Sequence, residues 1–337
     1  DREDAVERRL AELVERARDG VPAPRPYAVS PWRPVPGLDG HARAVAVCRE
    51  RIHAGDLFQA NVCLRLQATL EGDALDLWTD AAAALRPDRA AWLAGDHGAI
   101  ASLSPELFLE RRGRRVRTAP IKGTRRRPDN AAAAAAERDA LLASGKDRAE
   151  NTMIVDLARN DLGRVCRPGS VRVPVMAEAR PHTGVWHLVS EVEGDLRAGI
   201  GDADLLRATF PPASVTGAPK IAALDVIAEL ESTGREAYTG AIGFASPLAG
   251  LELSVAIRTF ETAGADAWLG VGGGVVADSD PAGEAAECVT KAAPLLAAIG
   301  GMLDAGEPAT ARDAPAPLRL GPRPVGRPDP AAGVFET

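Results

Sequence analysis

The sequence predicts an α+β fold with large, mostly antiparallel sheets. Two observations carry this expectation: segments of strand character follow one another without a helix between each pair, and the helical segments are few and long. A content of 46% hydrophobic residues in 337 is enough for a sizeable core.

Residues 2 to 18 repeat apolar positions at helical spacing. The stretch Gly20 to Gly37 is proline-rich and is expected to be a linker. A helix is predicted from Gly40 to His53, ending at Gly55, and Leu57 to Leu70 then alternates apolar and polar residues like a strand. Further strands are expected at Ala99 to Ser102, Leu107 to Arg111, Arg115 to Thr118, Val185 to Val192, Ala241 to Ala245, Leu251 to Thr259 and Trp268 to Val276. Helices are expected at Ala131 to Ala143, Asp147 to Arg159, Pro219 to Glu231 and Pro281 to Ile299. The alanine run at 131 to 136 favours helix strongly. The domain reading is a helix and remnant over 1–37, a catalytic domain over 38–302, a proline-rich tether over 303–325, and a further segment over 326–337.

Lys and Arg total 40 against 47 Asp and Glu, and a net charge of -7 argues against general nucleic-acid binding. The cysteines Cys48, Cys63, Cys166 and Cys288 have no metal or redox spacing, so they read as reduced thiols of a cytoplasmic protein. No apolar run has the length of a membrane helix. The chain starts at Asp1 and stops at Thr337, and both ends read as cuts in a longer chain.

Two helices place carboxylates three residues apart on one face: Asp147 with Glu150, and Glu284 with Glu287, where Lys291 lies four further on. The second helix has its own start signal, Asp280 then Pro281. Oxygen ligands from two helices suit a hard cation such as Mg²⁺, and a solvated acidic face is the competing account. In PIKGTRRRP, Lys122 stands beside Arg125, Arg126 and Arg127. Neighbouring cations and partial burial would favour its neutral, nucleophilic form, whereas an anion-steering loop would need only the charge. SVTGAPK sets Thr216 and Gly217 before a helix whose free amides could face a carboxylate, and GVGGGVV follows a strand; tight turns would explain both. Arg258 in SVAIRTF requires an anion, from a substrate or from a structural ion pair. His187 and Tyr238 read either as ligand contacts or as hydrogen-bonded core residues.

The ordered blocks AGDLFQANVCLRL, SLSPELFLE, APIKGTRRRP, DRAENTMIVDLARNDLGRV, HLVSEVEG, FPPASVTGAPK, YTGAIGF, VAIRTF and GVGGGVVADSDPAGEAAECVTKA together resemble the chorismate-binding family, from about Pro26 to Gly300. The family includes anthranilate, aminodeoxychorismate, isochorismate and salicylate synthases. The resemblance implies an anthranilate-synthase-like fold, its sheets packed together with helices outside and a deep site between them. It implies Mg²⁺ on Glu150 and Glu287, supported by Asp147 and Glu284. Arg258, Tyr238, Lys291, Gly272 and Gly274 would hold the carboxylates of chorismate, with Gly123, Thr124, His187 and Thr216 lining the wall. Gln59 stands where water-adding members carry lysine, which fits members that use ammonia. Lys122 in PIKGT marks the aminodeoxychorismate synthases, in which this lysine would add to the ring while Glu106 of SPELF protonates the departing hydroxyl.

The resemblance further implies a glutamine amidotransferase partner supplying ammonia. It also suggests a fused aminodeoxychorismate lyase beginning in RPDPAAGVFET. An anthranilate synthase large subunit is the nearer rival, and a catalytically inactive partner-binding fragment the more distant one. One block departs from the pattern: FPPAS replaces the usual glycines with Pro212 and Ala213, which would reshape the loop if positive φ were needed there.

Overall fold

A computed structural model describes residues 2–18 and 24–304. The proposed lyase start at 326–337 and all of the tether beyond Asp304 lie outside the described residues.

The helix expected at 2–18 forms as α1 (Arg2–Arg18). The expected linker, by contrast, enters a sheet. Ala28–Val29 (β1) and Arg33–Val35 (β2) both pair with Gln59–Glu71 (β3), and Trp32 beside them is 0% exposed. Trp32 N–H donates to the Met302 carbonyl and its own carbonyl accepts from Asp304, so this segment closes against the far end of the described fold. Proline suits such edge strands, where its missing N–H costs nothing.

Among the described residues the strands form two antiparallel sheets. In the first, β3 is flanked by Asp266–Val275 (β15), followed by Thr259–Ala263 (β14), Gly98–Ser104 (β5) and Arg89–Gly95 (β4), and Gly217–Ala218 (β11) pairs with its start. In the second, the order runs Ala241–Ser246 (β12), Gly250–Val255 (β13), Leu107–Arg112 (β6), Arg115–Ala119 (β7), Val185–Asp195 (β10) and Ile121–Arg126 (β8), with Arg172–His182 (β9) also on β10.

Each sheet buries one face under helices. Ala74–Leu85 (α3) and Pro281–Ala298 (α8) cover Leu64, Leu66, Phe260 and Leu269 of the first sheet. Gly145–Gly163 (α5) and Asp202–Thr209 (α6) cover Phe108, Val116, Val192 and Leu251 of the second. Leu38–His53 (α2) and Lys220–Leu230 (α7) pack over Ala60 and Val62, and Ala131–Ala143 (α4) receives the Trp186 indole hydrogen bond at Ala134. The other faces of the two sheets meet where Arg258 touches His187 of β10 and where Gly274 of β15 lies against Lys122 of β8.

Three further expectations change. β3 is buried from Gln59 through Leu66 without alternation, because helices cover one face and the second sheet's neighbourhood covers the other. The strand expected at 251–259 breaks into β13 and β14 at Arg258, whose φ is 51°. Of the two expectations for the glycine run, a strand over 268–276 and a turn following a strand, the second falls, because the run lies inside β15, paired with β3 through Val275.

Candidate functional site

The site begins with the glycines of β15. Successive strand residues face opposite ways, so Gly273 opens toward α8 and Gly274 toward the second sheet. A Cβ on Gly273 would fall 2.7 Å from Glu284 Oε2 and 3.7 Å from Glu287 Oε1. One on Gly274 would fall 2.5 Å from Gln59 Nε2 and 3.2 Å from Lys122 Nζ. Bare backbone therefore lets groups on both sides of the strand approach one another. Lys122 is in electrostatic range of Glu150 on α5, of Lys291 and Glu287 on α8, and of Glu106.

Burial pulls the Lys122 ammonium below the usual lysine range, with Lys291 adding to the effect and Glu150 and Glu106 opposing it. Lys122 makes no hydrogen bond or close ion pair among the described residues, so its amine is not consumed by structure. Gln59 beside it is 0% exposed, and neither its Nε2 nor its Oε1 has a hydrogen-bond partner there. Buried amide groups are as a rule hydrogen-bonded in folded proteins, so both ends of the Gln59 amide are open to a partner.

Glu106, just before β6, is 4% exposed and pushed up to about 7 by burial, against the Ser214 hydrogen bond, Lys122, the Ile121 amide and Arg258. At neutral pH it can carry or give up a proton. The Arg258 guanidinium donates to His187 Nε2 at 3.4 Å, which assigns the His187 proton to Nδ1, 3.0 Å from Thr124 Oγ1. Burial, then Arg258 and His182, push His187 down to about 3, so it stays neutral. Arg258 itself meets no carboxylate at hydrogen-bond distance among the described residues, and its nearby charge is Glu106.

The acidic pairs converge from α5 and α8. Lys146 Nζ lies 3.9 Å from Glu150 and 3.8 Å from Glu284, joining the two helices, while Glu287 pairs with Lys291 at 2.7 Å. Ser279 donates to Glu284 Oε1 at 2.7 Å, and Lys291 donates to the Gly272 carbonyl at 2.8 Å. Gly123, at φ +83°, brings β8 against Asp147: a Cβ there would meet Asp147 Cγ at 3.1 Å. Among the described residues no three His, Cys, Asp or Glu side chains close on a single point. The donors are all oxygen, which fits Mg²⁺, since that ion takes one or two carboxylates and completes its shell with water and substrate.

Two expected site residues lie otherwise. Tyr238 packs under Gly270 and its hydroxyl faces Cys63 Sγ at 3.9 Å, in a cavity with Arg65, Arg235 and Trp268 rather than against Lys122. Thr216 is 2% exposed and spends its hydroxyl on the Pro212 carbonyl. Gly217 is needed for β11 rather than for an anion, because a Cβ at φ +147° would strike the Gln59 carbonyl at 2.1 Å. FPPAS is not distorted: Pro212 has φ -57° and Ala213 opens a 3-10 turn, Ala213–Val215.

Residues 1–297 match the family described as chorismate binding enzyme. The chain belongs to that family.

Within it, the chain is 41% identical to aminodeoxychorismate synthase component 1 of Klebsiella aerogenes, over 79% of this chain and 59% of that protein. It is 42% identical to anthranilate synthase component 1 of Streptomyces coelicolor, over 76% of this chain and 50% of that protein. The crystal structure of anthranilate synthase component I from Streptococcus pneumoniae superposes with a TM-score of 0.75 at 31% identity, covering 87% of this chain and 66% of that one. The chain thus spans less than two thirds of the length of these relatives. The anthranilate-synthase-like α+β fold is the family's fold.

The sequence pattern did not single out two members of this candidate site. Lys146 was legible as the i,i+4 partner of Glu150, but its second contact, to Glu284, depends on how α8 packs. Ser214 lies inside SVTGAPK, yet nothing local announces that its hydroxyl reaches Glu106.

Proposed function

We propose that this chain aminates chorismate to 4-amino-4-deoxychorismate, the precursor of p-aminobenzoate. The observation that carries the reading is Lys122, an unengaged, half-buried amine against the Gly274 backbone, beside the open amide of Gln59 and near the acid Glu106.

The Lys122 amine forms a bond to ring C2, both ring double bonds shift, C1=C2 to C1=C6 and C5=C6 to C4=C5, and the C4–O bond breaks. Glu106 gives its proton to the departing hydroxyl, which leaves as water. Ammonia then adds at C4, both double bonds shift back, and the C2–N bond breaks to restore Lys122. The balance is chorismate plus ammonia to aminodeoxychorismate plus water. The lowered proton affinity of Lys122 serves its attack on C2, and the raised proton affinity of Glu106 serves departure of the hydroxyl in the same displacement.

Arg258 and Lys291 are cations available to the substrate carboxylates, with His187 and Thr124 fixing the Arg258 side of the wall. Gly123 keeps β8 close to α5, and the Gly272 carbonyl orients Lys291. Thr216 and Tyr238 take supporting places, Tyr238 through its packing on Gly270. Glu150 and Glu287, with Asp147 and Glu284 beside them, would hold Mg²⁺. The ion supplies a template for a carboxylate and draws negative charge from the ring. A glutamine amidotransferase subunit would supply the ammonia, a partner consistent with the words component 1 in the relatives' names.

The test is the mass of the product formed from chorismate, Mg²⁺ and ammonium salt. Aminodeoxychorismate is expected, and Lys122→Ala should lower its formation by at least about a hundredfold. Fluorescent anthranilate as the main product would favour the rival reading, and undiminished turnover of the variant would remove the covalent step.

A further inference from the structure

We propose that Ser214 is the positioning residue of the Glu106 acid, holding its Oε1 so that the proton leaves from the other carboxyl oxygen. The inference rests on the reading of Glu106 as proton donor.

The Ser214 hydroxyl donates to Glu106 Oε1 at 2.6 Å, and both residues are buried, at 6% and 4% exposure. The remaining groups facing the carboxyl are the Lys122 amine and the Ile121 amide of β8, and the Arg258 guanidinium. Asp161, Thr118 and Thr209 share the small cavity behind it, about 30 Å³ and otherwise apolar. Asp161 is held by Lys220 at 2.6 Å, and Ser214 is the neutral side-chain donor on Glu106, beside the Ile121 backbone amide.

The turn that carries Ser214 is clamped at both ends. Lys220 Nζ donates to the Thr209 carbonyl at 2.6 Å, and Arg235 donates to the Val215 carbonyl at 2.9 Å. A hydroxyl fixed so firmly cannot follow a wandering carboxylate. It therefore sets the orientation of that carboxylate and stabilises its charged form.

Removing the donor makes the charged form less favourable, so Glu106 should hold its proton to higher pH. Infrared titration of the protonated carboxyl band, with Glu106→Gln as the blank, reads this directly. Ser214→Ala should move the midpoint upward by about one pH unit, Ser214→Thr should restore it, and Ser214→Cys, of similar shape and weak as a donor, should resemble the alanine variant. An unmoved midpoint in both Ser214→Ala and Ser214→Cys overturns the inference. If the midpoint moves while the alkaline limb of kcat/KM for amination stays in place, Glu106 is not the acid, and the functional reading fails instead.

Discussion

At the scale of single residues, the site depends on side chains that are missing as much as on those present. Gly274 has an ordinary backbone conformation, so its requirement is space: a methyl group there would sit within 2.5 Å of Gln59 Nε2 and 3.2 Å of Lys122 Nζ. Gly274→Ala is therefore expected to displace Lys122 without straining the strand. Amination should fall roughly a hundredfold with little change in melting temperature, measured on one preparation by steady-state kinetics and thermal unfolding. Normal kcat/KM in this variant would mean that Lys122 need not lie where it does. The same residues fix the pH logic. In the proposed reaction Glu106 must be protonated, and as its proton affinity is centred at about 7, activity is expected to be lost as pH rises through that value. Lys122 must be neutral, and its depressed proton affinity keeps it so further into the neutral range than an exposed lysine.

Between elements, one largely buried ion pair ties the carboxylate-bearing helix α5 to the turn that carries Ser214. Lys220 at the start of α7 meets Asp161 near the end of α5 at 2.6 Å, with side chains 16% and 10% exposed, and also holds the Thr209 carbonyl. Burial alone raises the proton affinity of Asp161, and Lys220 counters it. Removing one partner strands the other charge in the interior. Lys220→Ala should cost about 3 kcal/mol in urea unfolding, and adding Asp161→Leu should recover part of that loss. An effect under about 0.5 kcal/mol would be that of an ordinary surface substitution and would show that the pair contributes no more than an exposed bridge. Elements differed in how easily the sequence disclosed them. α4 and α8 lie within a residue of expectation, because Asn130 and Asp280 are true N-caps, accepting from Ala133 and Gly283. α3 was missed despite the same signal, an Asp73 cap on Leu75. β8 was hidden because IKGTRR carries a glycine and two consecutive arginines in place of an alternating apolar run, and β9 because Pro174 interrupts an otherwise alternating run.

Over the whole molecule, the first sheet is completed by chain that reads locally as a linker. Trp32 packs on Phe260 with ring centroids 5.6 Å apart, inside the core shared by α3 and α8. Trp32→Ala should cost about 3–5 kcal/mol in denaturant unfolding, and a loss below about 0.5 kcal/mol would return the segment to the status of a tether. By itself the sequence determined the fold class, the family, and the identity of Lys122, Glu106 and the four carboxylates as candidates. Motif and spacing are properties of the chain, and ordered blocks of this length do not arise by coincidence. Only the tertiary structure decided which candidates meet. It put Gln59 and Lys122 on one side of a glycine strand and α8's acids on the other, linked Glu150 to Glu284 through Lys146, turned Tyr238 toward Cys63, and brought Ser214 to Glu106 across 108 residues of chain. The physical reason is that hydrogen bonds and Coulomb forces act over a few ångströms in space, whereas a sequence records proximity only along the backbone.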